Sequence, residues 1–120
     1  MPSAYGYRPK LTPAIHRQYL EVFRDPKARA QVLYPLACAI NGSRDYYASL
    51  LAQADRLKTL PTLIIWGMKD SAFRPHLLAR WRTLLPAAKV VELPEAGHWP
   101  HEEAPDAVSR MILDWTLSAR

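Results

Sequence analysis

Two residues stand out by type and spacing: Asp70, in Trp66-Gly67-Met68-Lys69-Asp70, and His98, in Ala96-Gly97-His98-Trp99. Each follows a short apolar run that suits a strand, Thr62 to Trp66 for the first and Lys89 to Leu93 for the second. In open α/β sheets the loops beyond the carboxyl ends of the strands collect functional groups. A carboxylate there can accept a hydrogen bond from one imidazole nitrogen, which fixes the tautomer and stabilises the imidazolium that forms. The other nitrogen can then take a proton from water or a hydroxyl. Gly67 and Gly97 are expected to permit the tight turns that present both side chains.

The elements around these loops follow from apolar spacing and proline placement. Thr12-Pro13 is a helix cap followed by proline at the first helical position, and Ile15, Tyr19, Val22 and Phe23 form one apolar stripe after it. Asp25-Pro26 repeats the signal and opens a second helix, which Pro35 is expected to interrupt or kink before Asn41-Gly42 stops it. Ser43 is expected to cap a third helix with the stripe Tyr46, Tyr47, Leu50, Leu51 and Ala54. Beyond Pro61 the pattern changes to a continuous apolar run, the mark of a strand buried on both faces of a parallel sheet. A helix follows, opening at Pro75 and stopped by Pro86, then the second strand. A last helix begins at Ala104 with Ala107, Val108, Met111, Ile112 and Trp115 on one side. Glu102, Glu103 and Asp106 suit the positive end of its dipole. Two parallel strands need neighbours, so the pattern implies a larger sheet than this chain supplies.

The order strand-WGxxD, then strand-AGH, resembles the C-terminal signature of the α/β-hydrolase superfamily, whose nucleophile, acid and histidine follow in that chain order. The stretches LPTLIIWGMKDSAFRP and PAAKVVELPEAGHWPHEEAP are most similar to haloalkane dehalogenases, with epoxide hydrolase-like relatives next. Tyr5 to Leu60 looks like the end of a helical cap and the helix leading back to the sheet. The resemblance implies an α/β fold, the C-terminal portion of an α/β-hydrolase. Residues 1–42 would be a helical cap remnant. Residues 43–120 would be the C-terminal part of the core, a β-α-β-α unit with parallel strands and an incomplete sheet.

By position the resemblance makes Asp70 the triad acid and His98 the triad base, with Phe73 and Trp99 lining a substrate pocket. In the dehalogenases an aspartate attacks the carbon bearing the halogen, and the histidine activates water to hydrolyse the resulting alkyl-enzyme ester. Serine-nucleophile relatives run the same two steps on carboxylic esters. A nucleophile elbow, G-x-[Ser/Asp]-x-G, is not found, because the four glycines stand at 6, 42, 67 and 97. The expectation is therefore a truncated or split hydrolase, inactive alone, acting on a small molecule without a cofactor. An N-terminal half or a second copy of the chain would complete the sheet.

Blander roles compete for several of these residues. Asp70 could bond its own turn. His98-x-x-His101 with Glu102 has a metal-like spacing, but no third ligand cluster accompanies it and no metal is expected. His16 and His76 are expected at the surface, Trp81 and Trp115 in the core, and Tyr46-Tyr47 either in packing or against a cavity. Cys38, the one cysteine, lies in an apolar run and is expected to be a small buried hydrophobe.

Composition limits the function classes. A hydrophobic share of 49% and a charged share of 22% in 120 residues suit a single globular unit. The net charge of +5 comes from scattered Lys and Arg without interleaved aromatics, so a solvated surface explains it better than nucleic-acid binding. No leader pattern and no apolar run of membrane-spanning length occurs, which gives the expectation of a soluble, cytoplasmic protein. The competing expectation is a non-catalytic interaction module that pairs its strand edge with a partner sheet.

Overall fold

A computed structural model describes residues 3–118. After a 3-10 turn at Arg8–Lys10 come helices α1 (Pro13–Glu21), α2 (Pro26–Gly42) and α3 (Arg44–Leu51), then a 3-10 segment, Ala54–Thr59. The second half runs β1 (Leu63–Gly67), α4 (Pro75–Leu84), β2 (Lys89–Leu93), α5 (Pro100–Glu103) and α6 (Pro105–Ser118). The chain forms two compact units, one of Thr12–Asp55 and one joining the N-terminal segment up to Leu11 with the chain from Arg56 onward.

The helices of the first unit start where their caps dictate. Thr12 Oγ1 accepts the Ile15 N–H at 3.2 Å. The Asp25 carboxylate accepts the N–H groups of Lys27 and Ala28 at 2.9 and 3.3 Å. Asp25→Ala is expected to destabilise this unit by about 1 kcal/mol, read as a lower helical melting midpoint by circular dichroism. α1 ends at Glu21, short of the expected stripe at Val22 and Phe23. Asp25, preceding Pro26, is held out of the helical region, so the chain must leave its helix before it.

Three expectations for this unit are corrected. Pro35 does not interrupt α2, which continues through it as one helix. The proline removes one donor, but the turns on either side keep their bonds and water can take the freed carbonyl in so exposed a helix. Ser43 precedes α3 without a side-chain cap bond. Cys38 is exposed, because α2 buries none of its residues.

In the second unit β1 and β2 pair in parallel, Leu63 opposite Lys89 through Gly67 opposite Leu93. α5 and α6 contact β1. Leu78, Leu85 and Val108 are its buried apolar residues, with Tyr5 and Ala96. β1 was expected to be buried on both faces, yet Leu63 to Trp66 are only half-buried. A two-stranded sheet covers too little of each face to enclose them. Trp81, expected in the core, is exposed for the same reason, since α4 has little sheet to lie against. Trp115 is half-buried and His76 exposed, whereas His16 is half-buried. Among the described residues no helix is long and apolar enough to cross a membrane.

Candidate active site

β1 ends at Gly67 and its loop stays bonded to the neighbouring strand's loop. The Met68 N–H donates to the Leu93 carbonyl at 3.0 Å, and the Lys69 N–H donates to the Ala96 carbonyl at 2.9 Å. This continuation of the ladder holds the Asp70 loop and the His98 loop in fixed register. Lys69 and Glu95 add an ion pair across the same two loops.

A turn does follow β1, closed by the Asp70 N–H on the Gly67 carbonyl at 3.2 Å. No described glycine has a positive φ, so what demands glycine here is close approach. A Cβ at Gly67 would lie 2.7 Å from the Ala96 carbonyl oxygen, and one at Gly6 would lie 2.6 Å from the Gly97 nitrogen. Three backbone segments therefore touch without side chains between them: the Asp70 loop, the His98 loop and the N-terminal segment.

Within this frame Asp70 Oδ2 lies 2.8 Å from His98 Nδ1. The other carboxylate oxygen, Oδ1, accepts the N–H groups of Ala72 and Phe73 at 2.7 and 3.0 Å. The Asp70 side chain is 7% exposed and that of His98 26%. Burial by itself would raise the Asp70 pKa. The Phe73 N–H, the His98 hydrogen bond, the Ala72 N–H and the nearby imidazolium charge outweigh it and hold the carboxyl below its ordinary value of 3.8. With Nδ1 engaged as a donor, Nε2 is the open nitrogen, and no hydrogen bond reaches it among the described residues. Such an imidazole can take a proton at Nε2 while the carboxylate stabilises the resulting charge.

A depressed carboxyl pKa means that the folded chain holds this proton more weakly than the unfolded chain. The stabilisation from Asp70 is thus complete above the ordinary value and is lost as pH falls through the lower folded value. Melting midpoints are expected to drop as pH is lowered from about 4, and an Asp70→Asn variant is expected to lack that part of the dependence.

Aromatic rings enclose the imidazole. Phe73 stacks on it with ring centres 5.1 Å apart and planes at 27°. Trp99 meets it edge-on at 4.9 Å. The Trp66 indole N–H donates to the Phe73 carbonyl at 3.1 Å and so fixes the turn that carries the stacking ring. The four residues singled out from sequence, Asp70, Phe73, His98 and Trp99, are brought together in one cluster. His101 contacts the Trp99 ring and Glu102 accepts the Tyr5 hydroxyl; among the described residues no group of three His, Cys, Asp or Glu side chains gathers as for a metal ion.

Residues 13–105 match the family described as alpha/beta hydrolase fold. The chain belongs to this family. Over 59 residues the α/β-hydrolase chain is 48% identical to a haloalkane dehalogenase 2 from Mycobacterium bovis, covering 48% of this chain and 21% of that protein. It is 38% identical over 69 residues to a cis-3-alkyl-4-alkyloxetan-2-one decarboxylase from Shewanella oneidensis, covering 56% and 22%. With lipase 1 from Psychrobacter immobilis it shares 28% identity over 100 residues, covering 83% and 29%. The chain spans between 21% and 29% of the length of these relatives.

Two parts of the site carry no such signature in the sequence. The N-terminal segment looks like an ordinary loop, yet Ala4 accepts the His98 N–H at 2.7 Å and Ser3 accepts the Ser71 hydroxyl at 3.0 Å. Glu103 looks like a helix-dipole carboxylate, yet it is 4% exposed and bonded at both oxygens. The one available hint was Gly6, a glycine in a segment with no other reason for one.

Proposed function

We propose that this α/β-hydrolase chain supplies the acid and base of a hydrolytic triad, Asp70 and His98, and that the nucleophile comes from polypeptide outside these residues. The observation that carries the reading is the 2.8 Å bond between Asp70 and His98 Nδ1, with Nε2 open. The reaction is haloalkane dehalogenase-like: a carbon–halogen or ester bond is broken by the nucleophile, and His98 then activates water against the covalent intermediate. Phe73 and Trp99, beside the imidazole, line the substrate side. A small-molecule substrate and no cofactor complete the reading. A cytoplasmic setting accords with a lone cysteine that can form no internal disulfide.

Co-expression with an N-terminal α/β-hydrolase half bearing a nucleophile elbow provides the test. The mixed sample is expected to release halide from short haloalkanes or cleave activated esters, while the chain alone gives background rates. Full turnover by the chain alone, unaffected by His98→Ala, would overturn the assignment. The two-stranded sheet also favours a second reading, a non-catalytic module that pairs with a partner sheet. A stable complex with the N-terminal half that shows no turnover on either substrate class would select it.

A further inference from the structure

Glu103 is a buried carboxylate that the acid–base reading does not use. Burying such a charge is costly unless charge-assisted hydrogen bonds satisfy it. Here Oε1 accepts the Gly97 N–H at 2.8 Å and Oε2 accepts the Tyr7 N–H at 2.8 Å. The Glu103 N–H in turn donates to the Trp99 carbonyl at 2.9 Å. His98 is therefore held inside a small ring, between a Gly97 N–H and a Trp99 carbonyl that both bond Glu103. A second ring closes through the N-terminal segment, because the His98 N–H donates to Ala4 while Tyr7 bonds Glu103. An apolar residue of similar volume would fill the space, but it could not join two backbone donors from separate segments.

We propose that Glu103 is a positioning residue for His98: its carboxylate, by accepting the Gly97 and Tyr7 N–H groups together, fixes the backbone on which the imidazole meets Asp70. The proposal rests on the Asp70–His98 pair acting as acid and base. A shift of the base by even an ångström lowers the rate of the step it serves.

The test is proton NMR of the isotope-labelled full chain, observing the downfield His98 Nδ1 proton shared with Asp70. Asp70→Asn is expected to abolish that signal and so to assign it. In Glu103→Gln the amide offers one acceptor and one NH₂ group to two N–H donors, leaving one donor unpaired. Exchange of the His98 Nδ1 proton with solvent is expected to quicken about tenfold or more, while the thermal transition shows the variant folded. Should Glu103→Gln fail to fold, Glu103→Asp carries the same readout, since it keeps the charge but falls one methylene short of spanning both donors. Unchanged exchange in a folded variant overturns the positioning role alone. A wild-type chain without the signal, or a signal that survives Asp70→Asn, overturns the acid–base pair and this inference with it.

Discussion

Asp70→Asn is expected to lower kcat of the completed enzyme by about four orders of magnitude while leaving the chain folded. The reason lies in which oxygen each partner holds. Oδ1 is already committed to the Ala72 and Phe73 N–H groups, so the asparagine carbonyl must occupy that position to satisfy them. Its NH₂ group then faces His98 Nδ1, where a donor now meets the nitrogen that carried the proton. The imidazole responds by moving its proton to Nε2. The nitrogen that should accept a proton from water becomes a donor, and general-base catalysis stops. Four powers of ten correspond to about 5.5 kcal/mol in the barrier. Single-turnover kinetics check this: the covalent intermediate should accumulate and decay very slowly. A variant within about tenfold of wild type would mean that Asp70 does not set the tautomer.

Gly67→Ala is expected to produce the largest loss of stability from the smallest added group. The new Cβ would meet the Ala96 carbonyl at 2.7 Å and crowd the Gly97 carbonyl, both of them backbone atoms. A flexible side chain could swing aside, but these carbonyls belong to the loop that carries His98. The Lys69 N–H bond to Ala96 and the Met68 bond to Leu93 would have to lengthen together. Overpacking of this kind costs about 3 kcal/mol when no side chain can relax. For a unit of this size the melting midpoint should fall by roughly 10 °C or more. Gly42→Ala is the control, since a Cβ there meets nothing within 4 Å. Similar midpoints for the two variants would show that the loops separate more easily than the contacts imply.

Most of the architecture was legible because local rules and tertiary packing agree in it. The cap-plus-proline pairs at Thr12 and Asp25 marked helix starts, since side-chain acceptors and fixed φ act within a few residues. The apolar run ending at Gly67 and the short run at Lys89–Leu93 marked the strands. Pro35 leaves α2 uninterrupted because its penalty is local, whereas the survival of α2 depends on the sum of the turns around it. Burial of Cys38, Trp81 and β1 was overestimated for one shared reason: an apolar pattern records a wish for cover, and the cover is not present among the described residues.

The sequence by itself determined the order of the strands and longer helices, the α/β-hydrolase family and the two loop positions of Asp70 and His98, because motif spacing and strand ends are properties of the linear chain; it did not separate the short helix α5, with Glu102 and Glu103, from α6. Only the tertiary structure decided that Oδ2 of Asp70 meets Nδ1 of His98, that Phe73 and Trp99 close on the imidazole, and that Glu103 ties Gly97 to Tyr7. Those contacts join residues up to 96 positions apart. The Glu103 partners are backbone N–H groups, which every residue but proline carries, so no residue type could announce them in advance.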